Sequence, residues 1–238
     1  MQLEVRGVAA GYQRDIDILR GVTVVARPGQ LTTIIGANGV GKSTLLKTII
    51  GQLRPYTGRI TYKDRDITGI ATRDLVNAGI AYVAQRHAMF KDMTVAENIE
   101  MATWAFRRDR KRAKAAIERV YDRATYLKDF ASRRAGLMSG GQQRLMQLEL
   151  ALMSDPDLIL VDEPTVGLDP KRAQTIYAHL RSLVRDEGRT ILMVDQNVIA
   201  GVDVADYIYV LELGANKLEG TKAKFDAEYR ETIAEWLF

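Results

Sequence analysis

The chain has 238 residues, 47% of them apolar and 27% charged, with a formal net charge of +4 and no cysteine. A chain of this length buries a sizeable core within one domain, and without thiols it forms neither disulfides nor thiolate metal sites. No run approaches the roughly 18–20 apolar residues that cross a bilayer, and the start lacks the basic and apolar regions of a secretory signal, so a cytoplasmic protein is expected.

Residues 3–8 and 18–26 carry β-branched residues in short runs, and Arg27-Pro28-Gly29 marks a turn between strands. Residues 31–35 form an apolar, β-branched run ending in glycine, which reads as a buried strand of a parallel sheet. The spacing of Leu45, Leu46, Ile49 and Ile50 predicts a helix over residues 42–51. Residues 57–62 and 80–83 read as further strands. From about 95 to 151 the texture becomes helical, and within it Met138-Ser139-Gly140-Gly141-Gln142-Gln143 opens a helix through Leu145, Leu148 and Leu152. Strands return at residues 158–161 and 190–194 with a helix over 171–185 between them, and the chain is expected to close on a helix near Phe238. This alternation argues for an α/β fold with a mostly parallel sheet, an N-terminal antiparallel β lobe and a helical insertion lobe at about residues 86–152. A basic run (Arg107, Arg108, Arg110, Lys111, Arg112 and Lys114) suits nucleic acid or anionic lipid headgroups, and equally suits a solvated helix face.

Gly36-Ala37-Asn38-Gly39-Val40-Gly41-Lys42-Ser43, followed by Thr44, matches the phosphate-loop pattern at every fixed position and lies between a buried strand and a helix. Its glycines let backbone N–H groups converge on phosphate oxygens, and the following helix adds its positive end. Lys42 is placed to reach the β- and γ-phosphates of a nucleotide, and Ser43 to ligate Mg²⁺. The run of residues 158–163 is an apolar strand ending in Asp162 and Glu163. Ligands of parallel sheets bind at the carboxyl ends of strands, where Asp162 suits the Mg²⁺ shell and Glu163 suits a water-polarising base.

Ser139, Gly140, Gly141 and Gln142 make a second anion site from helix N–H groups, and this stretch resembles the signature sequence of ABC ATPases, usually written LSGGQ. The resemblance covers nearly the whole chain. It implies a P-loop NTPase core forming a single nucleotide-binding domain over residues 1–238, ATP as substrate with Mg²⁺, and ATP hydrolysis. It further implies a head-to-tail dimer with a second ABC ATPase chain, identical or different, in which each signature covers the other chain's γ-phosphate. Tyr12 then resembles the aromatic that stacks on adenine, and Gln85 the glutamine that senses Mg²⁺ and touches the membrane partner. Asp169 of Gly167-Leu168-Asp169-Pro170 is expected to reach across the dimer.

The family usually places a histidine after the strand at 190–194; here Gln196 stands there, able to donate to phosphate but not to titrate. Turnover less sensitive to pH near neutrality is expected. Gly11-Tyr12, Gly36-Ala37-Asn38-Gly39, Met93-Thr94-Val95-Ala96-Glu97-Asn98 and Val194-Asp195-Gln196-Asn197 look most like ATPase subunits of branched-chain amino acid importers. Amide or urea importers and lipid-export ATPases are similar. That branch implies transmembrane permease subunits as partners, a periplasmic or extracellular binding protein indirectly, no nucleic acid, and a place on the inner face of the cell membrane. Met89, Phe90 and Met93 are candidates for the permease contact, and no regulatory C-terminal domain is expected. The competing reading is a soluble ABC ATPase of DNA repair or translation, for which the basic run is the only support.

Overall fold

The computed structural model describes residues 2–13, 16–85 and 89–228. In chain order its strands are β1 (Leu3–Ala10), β2 (Leu19–Ala26), β3 (Leu31–Ile35), β4 (Thr57–Tyr62), β5 (Arg65–Asp66), β6 (Ile80–Val83), β7 (Leu158–Asp162), β8 (Thr190–Asp195), β9 (Tyr207–Glu212) and β10 (Ala215–Thr221). Its helices are α1 (Lys42–Ile49), α2 (Leu75–Ala78), α3 (Val95–Ala102), α4 (Arg110–Arg123), α5 (Tyr126–Asp129), α6 (Gly140–Leu152), α7 (Pro170–Glu187), α8 (Val198–Val204) and α9 (Lys222–Glu228).

Two sheets result, one antiparallel in the order β2-β1-β4-β5 and one in the order β10-β9-β3-β8-β7-β6. The second is parallel from β9 to β6, with β10 antiparallel at its edge. Strands β3, β7 and β8 are buried at every residue, which explains their near-continuous apolar sequences. Helix α1 packs between the sheets: Leu45, Leu46 and Ile49 join Val5, Val24, Leu160 and Val194 in one cluster. On the opposite face Val161 and Met193 meet Leu148 of α6, Ile176 and Leu180 of α7 and Phe225 of α9. Each fully buried Leu or Ile contributes about 1.5–3 kcal/mol of transfer free energy.

The insertion lobe has a separate core built by Val95, Ile99, Val120, Leu127, Met146 and Met153. It is joined to the main body through α6, whose Leu148 and Leu152 belong to the other cluster. One helix therefore reports to both bodies.

The expected elements are present with shifted ends. Helix α7 begins one residue early because Asp169 caps it and Pro170 takes its first turn, and it ends at the left-handed Gly188. Strands β9 and β10 were not expected from the sequence. The helix expected near Phe238 and the start of the insertion lobe at residues 86–88 lie outside the described residues.

Candidate functional site

Parallel register brings the site together. Ile35, the last residue of β3, lies opposite Asp195 of β8, and Asp162 of β7 lies opposite Val194. Three strands thus end on one edge, and the loop from Gly36 to Gly41 leaves that edge into α1. Gly41 caps α1 with φ 105° and has no side chain to offer; a Cβ there would meet Leu19 Cδ2 at 2.8 Å. Gly36, at φ 155°, would clash with the carbonyl of Leu211 at 2.4 Å. The loop's glycines are dictated by backbone shape and close packing, while Ala37, Asn38 and Gly39 stay exposed beside half-buried Val40.

Lys42 is 4% exposed and donates from Nζ to the carbonyls of Gly36 at 2.7 Å and Ala37 at 3.0 Å. Burial lowers its pKa, opposed by the negative charges of Glu163, Asp195 and Asp162. Thr44 lies buried in the same turn, with its carbonyl bonded by Thr48.

Ser43 Oγ donates to Asp162 Oδ1 at 2.9 Å, and the Tyr82 hydroxyl donates to Asp162 Oδ2 at 3.1 Å. A hydroxyl and a carboxylate side by side are hard oxygen donors of the kind Mg²⁺ takes when phosphates and waters complete its shell. Glu163 points elsewhere because its backbone leaves the strand in the left-handed region, at φ 44°. A non-glycine residue held there costs on the order of 1–3 kcal/mol, and its N–H is fixed to the carbonyl of Val194 at 3.0 Å. Gln85 Nε2 donates to Glu163 Oε2 at 2.6 Å. Burial pushes the Glu163 carboxyl above its ordinary value, countered by Lys42 and reinforced by Asp162 and Asp195. The result is a carboxylate oriented by an amide and biased toward holding a proton.

Besides Tyr82, the residues Asp195, Tyr177 and Arg144 of this neighbourhood escaped the sequence reading. Asp195 is fully buried and accepts from the Tyr177 hydroxyl at 2.7 Å and from the N–H of Asn197 at 2.9 Å. Desolvation raises its pKa, partly offset by those donors and by Lys42. Tyr177 in turn lies 3.0 Å from Thr165 Oγ1, so a buried strut joins the segment before α7 to the end of β8. Arg144 on α6 donates to the carbonyls of Ala84 at 3.2 Å and Gln85 at 2.9 Å, tying the helix behind the second anion site to the glutamine. Acids or arginines inside helices and strands carry no local pattern that separates them from ordinary surface charge. For Asp195 alone a signal existed, a carboxylate ending an apolar strand like Asp162.

The second anion site lies apart from this group. Ser139 caps α6 in a capping box, accepting from the Gln142 N–H at 3.4 Å while its own N–H donates to Gln142 Oε1 at 3.0 Å. Its neighbours belong to the start of α7: a side chain at Gly141 would meet the Arg172 stem at 3.1 Å, and one at Gly140 would meet Leu168 at 3.5 Å. Among the described residues no hydrogen bond joins 139–142 to the loop at 36–43. Asp169 is exposed and engaged as the cap of α7, accepting from the Arg172 N–H at 3.0 Å. Gln196 is exposed beside a cleft of roughly 370 Å³ that it shares with Gly167, Leu168 and Tyr177. Tyr12 is 57% exposed next to α1, its hydroxyl accepting from Lys47 Nζ at 3.0 Å. Met89 packs into the insertion-lobe core, whereas Phe90 is exposed.

A family model described as ABC transporter matches residues 19–166. The high-affinity branched-chain amino acid transport ATP-binding protein BraG of Pseudomonas aeruginosa is 37% identical over 212 residues, 89% of this chain and 90% of its own. The probable branched-chain amino acid transport ATP-binding protein LivF of Archaeoglobus fulgidus is 34% identical over 89% of each chain. Among solved structures, an ATP-binding cassette of an ABC transporter in its ADP conformation superposes with a TM-score of 0.85 at 27% identity, covering 98% of both chains. A dimeric cassette in a post-hydrolysis state, bound to ADP and Pi, superposes at 0.74 with 25% identity, over 93% of this chain and 99% of that one.

Proposed function

The chain belongs to the ABC transporter family as an ATP-binding subunit and ATPase, and from that premise we propose that two such chains close head to tail around two ATP molecules to drive a membrane permease. In this reading the N–H groups of residues 36–44 and the Lys42 ammonium take the β- and γ-phosphates, and Tyr12 stacks on adenine. Ser139, Gly140, Gly141 and Gln142 of the second chain cover the γ-phosphate, with Asp169 at the seam. Gln85 orients the Glu163 carboxylate toward the attacking water. The water oxygen bonds to the γ-phosphorus, the bond to the bridging oxygen of ADP breaks, and Glu163 receives the water's proton. Gln196 donates an amide hydrogen to the γ-phosphate. Mg²⁺ suits the Ser43 and Asp162 oxygens, with the Gln85 side-chain Oε1 as a further ligand, and when bound it would supply neutralisation of phosphate charge.

The observation that carries this reading is the separation of two helix N-termini in one chain. One is surrounded by Lys42, Asp162 and Glu163; the other is flanked by Leu168 and the Arg172 stem and, among the described residues, hydrogen-bonds to none of those three. A second chain is the economical source of the missing half.

No helix among the described residues is long and apolar enough to cross a membrane; in this reading separate permease subunits carry the cargo, with this chain on the inner face. A cleft of roughly 270 Å³ lined by Leu75, Val76, Tyr82, Ala102, Ala105 and Phe106 offers an apolar seat for a permease helix between the main body and the insertion lobe. The cargo proposed is branched-chain amino acids, as in the printed names of BraG and LivF. A binding protein would meet the permease rather than this chain. The whole chain acts as one nucleotide-binding domain.

The test is size-exclusion chromatography with phosphate release for wild type and Glu163→Gln. An ATP-dependent dimer of the variant, with turnover only in wild type, supports the reading. A variant that stays monomeric with saturating ATP, alone and mixed with wild type, contradicts it.

A further inference from the structure

The basic run left unused by the nucleotide site surrounds the N-terminal tip of α4 in the insertion lobe. Arg107, Arg108, Arg110, Lys111, Arg112 and Lys114 are all exposed, around the 3-10 turn Trp104–Phe106 and the first turns of α4. Three of the six have structural partners, Arg107 on Trp104 among them. Arg112 stacks on Phe106 at 4.5 Å and donates to the Ser154 carbonyl at 3.0 Å, and Lys114 lies 3.9 Å from Glu118. Arg108, Arg110 and Lys111 have no carboxylate within ion-pair distance among the described residues. The one acid inside the run, Asp109, is engaged in capping α4 through the Arg112 N–H at 3.0 Å.

The apolar component is equally specific. Trp104 is 59% exposed, with the Arg107 guanidinium stacked 4.1 Å from its ring centroid and bonded to its carbonyl at 2.9 Å. Met101, one helical turn earlier, is 40% exposed. A cation-covered indole next to an exposed thioether gains little in water. At a headgroup boundary the indole buries its apolar body while the guanidinium and ammonium groups stay with the phosphates.

We propose that this tip, Trp104 with Arg107, Arg108, Arg110 and Lys111, docks on an anionic lipid surface. Charge complementarity fixes the partner's sign, and the exposed indole and thioether favour a bilayer over a nucleic-acid backbone, which offers phosphates without an apolar phase. The tip also adjoins Ala102, Ala105 and Phe106 of the cleft assigned to the permease. That orientation rests on the proposed function, whereas the lipid contact can be read without any permease.

Flotation of the full chain with phosphatidylcholine vesicles, and with vesicles of phosphatidylcholine mixed with phosphatidylglycerol, tests the proposal. The expected result is binding to the phosphatidylglycerol vesicles alone, weakened by salt. The charge-reversed R108E/R110E/K111E should lose about a hundredfold or more in affinity, at about fivefold per basic residue removed from the surface, while keeping ATP turnover in solution. Independently of that variant's folding, Trp104 emission, isolated by Trp236→Phe, should shift to the blue on those vesicles. Equal binding to both vesicle types, no binding to either at low salt, an unshifted Trp104, or unaltered binding by the folded triple variant would each overturn the proposal. So would tighter binding to duplex DNA than to vesicles. A wild-type chain that floats with anionic vesicles yet hydrolyses no ATP supports this inference and tells against the ATPase reading alone.

Discussion

Helices α1 and α6 both begin with glycine-rich turns, yet their N-termini are finished in opposite ways. Gly41 gives α1 a left-handed cap with no side-chain partner, so its N–H groups face the loop. The first N–H groups of a helix need partners from outside, and here one cation and three carboxylates surround them. Ser139 and Gln142 instead satisfy the start of α6 reciprocally, and its flanks are the Arg172 stem and Leu168. The first terminus is prepared for chemistry within its own chain. The second is closed by its own capping box, and in the proposed dimer it would add donors to a site charged by the other chain. Arg144 and the dual packing of α6 then connect that surface to Gln85 and to both cores.

The largest effects should follow from disarming α1. Glu163→Gln should lower turnover by about 10²–10⁴-fold while leaving ATP binding intact. Because its carboxyl is pushed above the ordinary value by burial, the base form is lost as pH falls through that raised pKa. Wild-type kcat should therefore decline on the acid side at a pH above the ordinary glutamate value. An acid-side decline of the residual turnover that persists unchanged in Glu163→Gln would show that Glu163 is not the base. Lys42→Ala should cost about 10²–10³-fold in turnover, the size expected for one lost charged donor to the reacting phosphate, and here equilibrium ATP binding should weaken too. Unchanged ATP affinity in that variant would break the assignment of α1 as the phosphate end.

A smaller effect distinguishes the second terminus. Ser139→Ala removes a helix cap worth about 1 kcal/mol, so Tm should fall by a few degrees. ATP binding by the monomer should stay as it is, with the ATP-driven dimer weakened. Impaired monomer binding would merge the two termini into one site.

The smallest expected change concerns Asp195. Burial raises its folded pKa, so the folded chain holds that proton more tightly than the unfolded one. The stability this provides is complete below the unfolded pKa and is lost as pH rises through the folded pKa. The ionised carboxylate therefore costs stability at neutral pH. Asp195→Asn keeps the volume, and the Tyr177 hydroxyl can turn to accept from the new amide while donating to Thr165. Its stability at neutral pH should rise, on the order of 1 kcal/mol, and flatten with pH when followed by urea denaturation. Loss of stability across the whole pH range would show that the strut outweighs the buried charge.

How much of this was readable beforehand follows from how local each constraint is. Residues 36–43 were legible because a phosphate cradle fixes glycine, lysine and serine at set spacings. Strands β3, β7 and β8 were legible because burial on both faces leaves apolar runs. Ser139 and Gln142 were visible as a helix start, and the structure adds that they satisfy one another. Residues 207–212 could have been read as a strand from their aromatic and β-branched composition, with Leu213-Gly214 turning into β10. Asp195 ends an apolar strand as Asp162 does, but only the fold shows that it is buried while its neighbour Gln196 is exposed. Tyr82 and Arg144 could not be assigned from local pattern, since their partners at Asp162 and Gln85 are 80 and 59 residues away.

The central claim, that α6 of one chain completes the site at α1 of another, is tested most directly by complementation. Lys42→Ala has an intact signature and a disabled phosphate loop; Ser139→Arg has the converse. Phosphate release is measured for each alone and for the two mixed. The account predicts negligible turnover from either alone and restored turnover in the mixture, dependent on the concentration of both. Turnover by Ser139→Arg alone at the wild-type rate, or a mixture no more active than its parts, would contradict it.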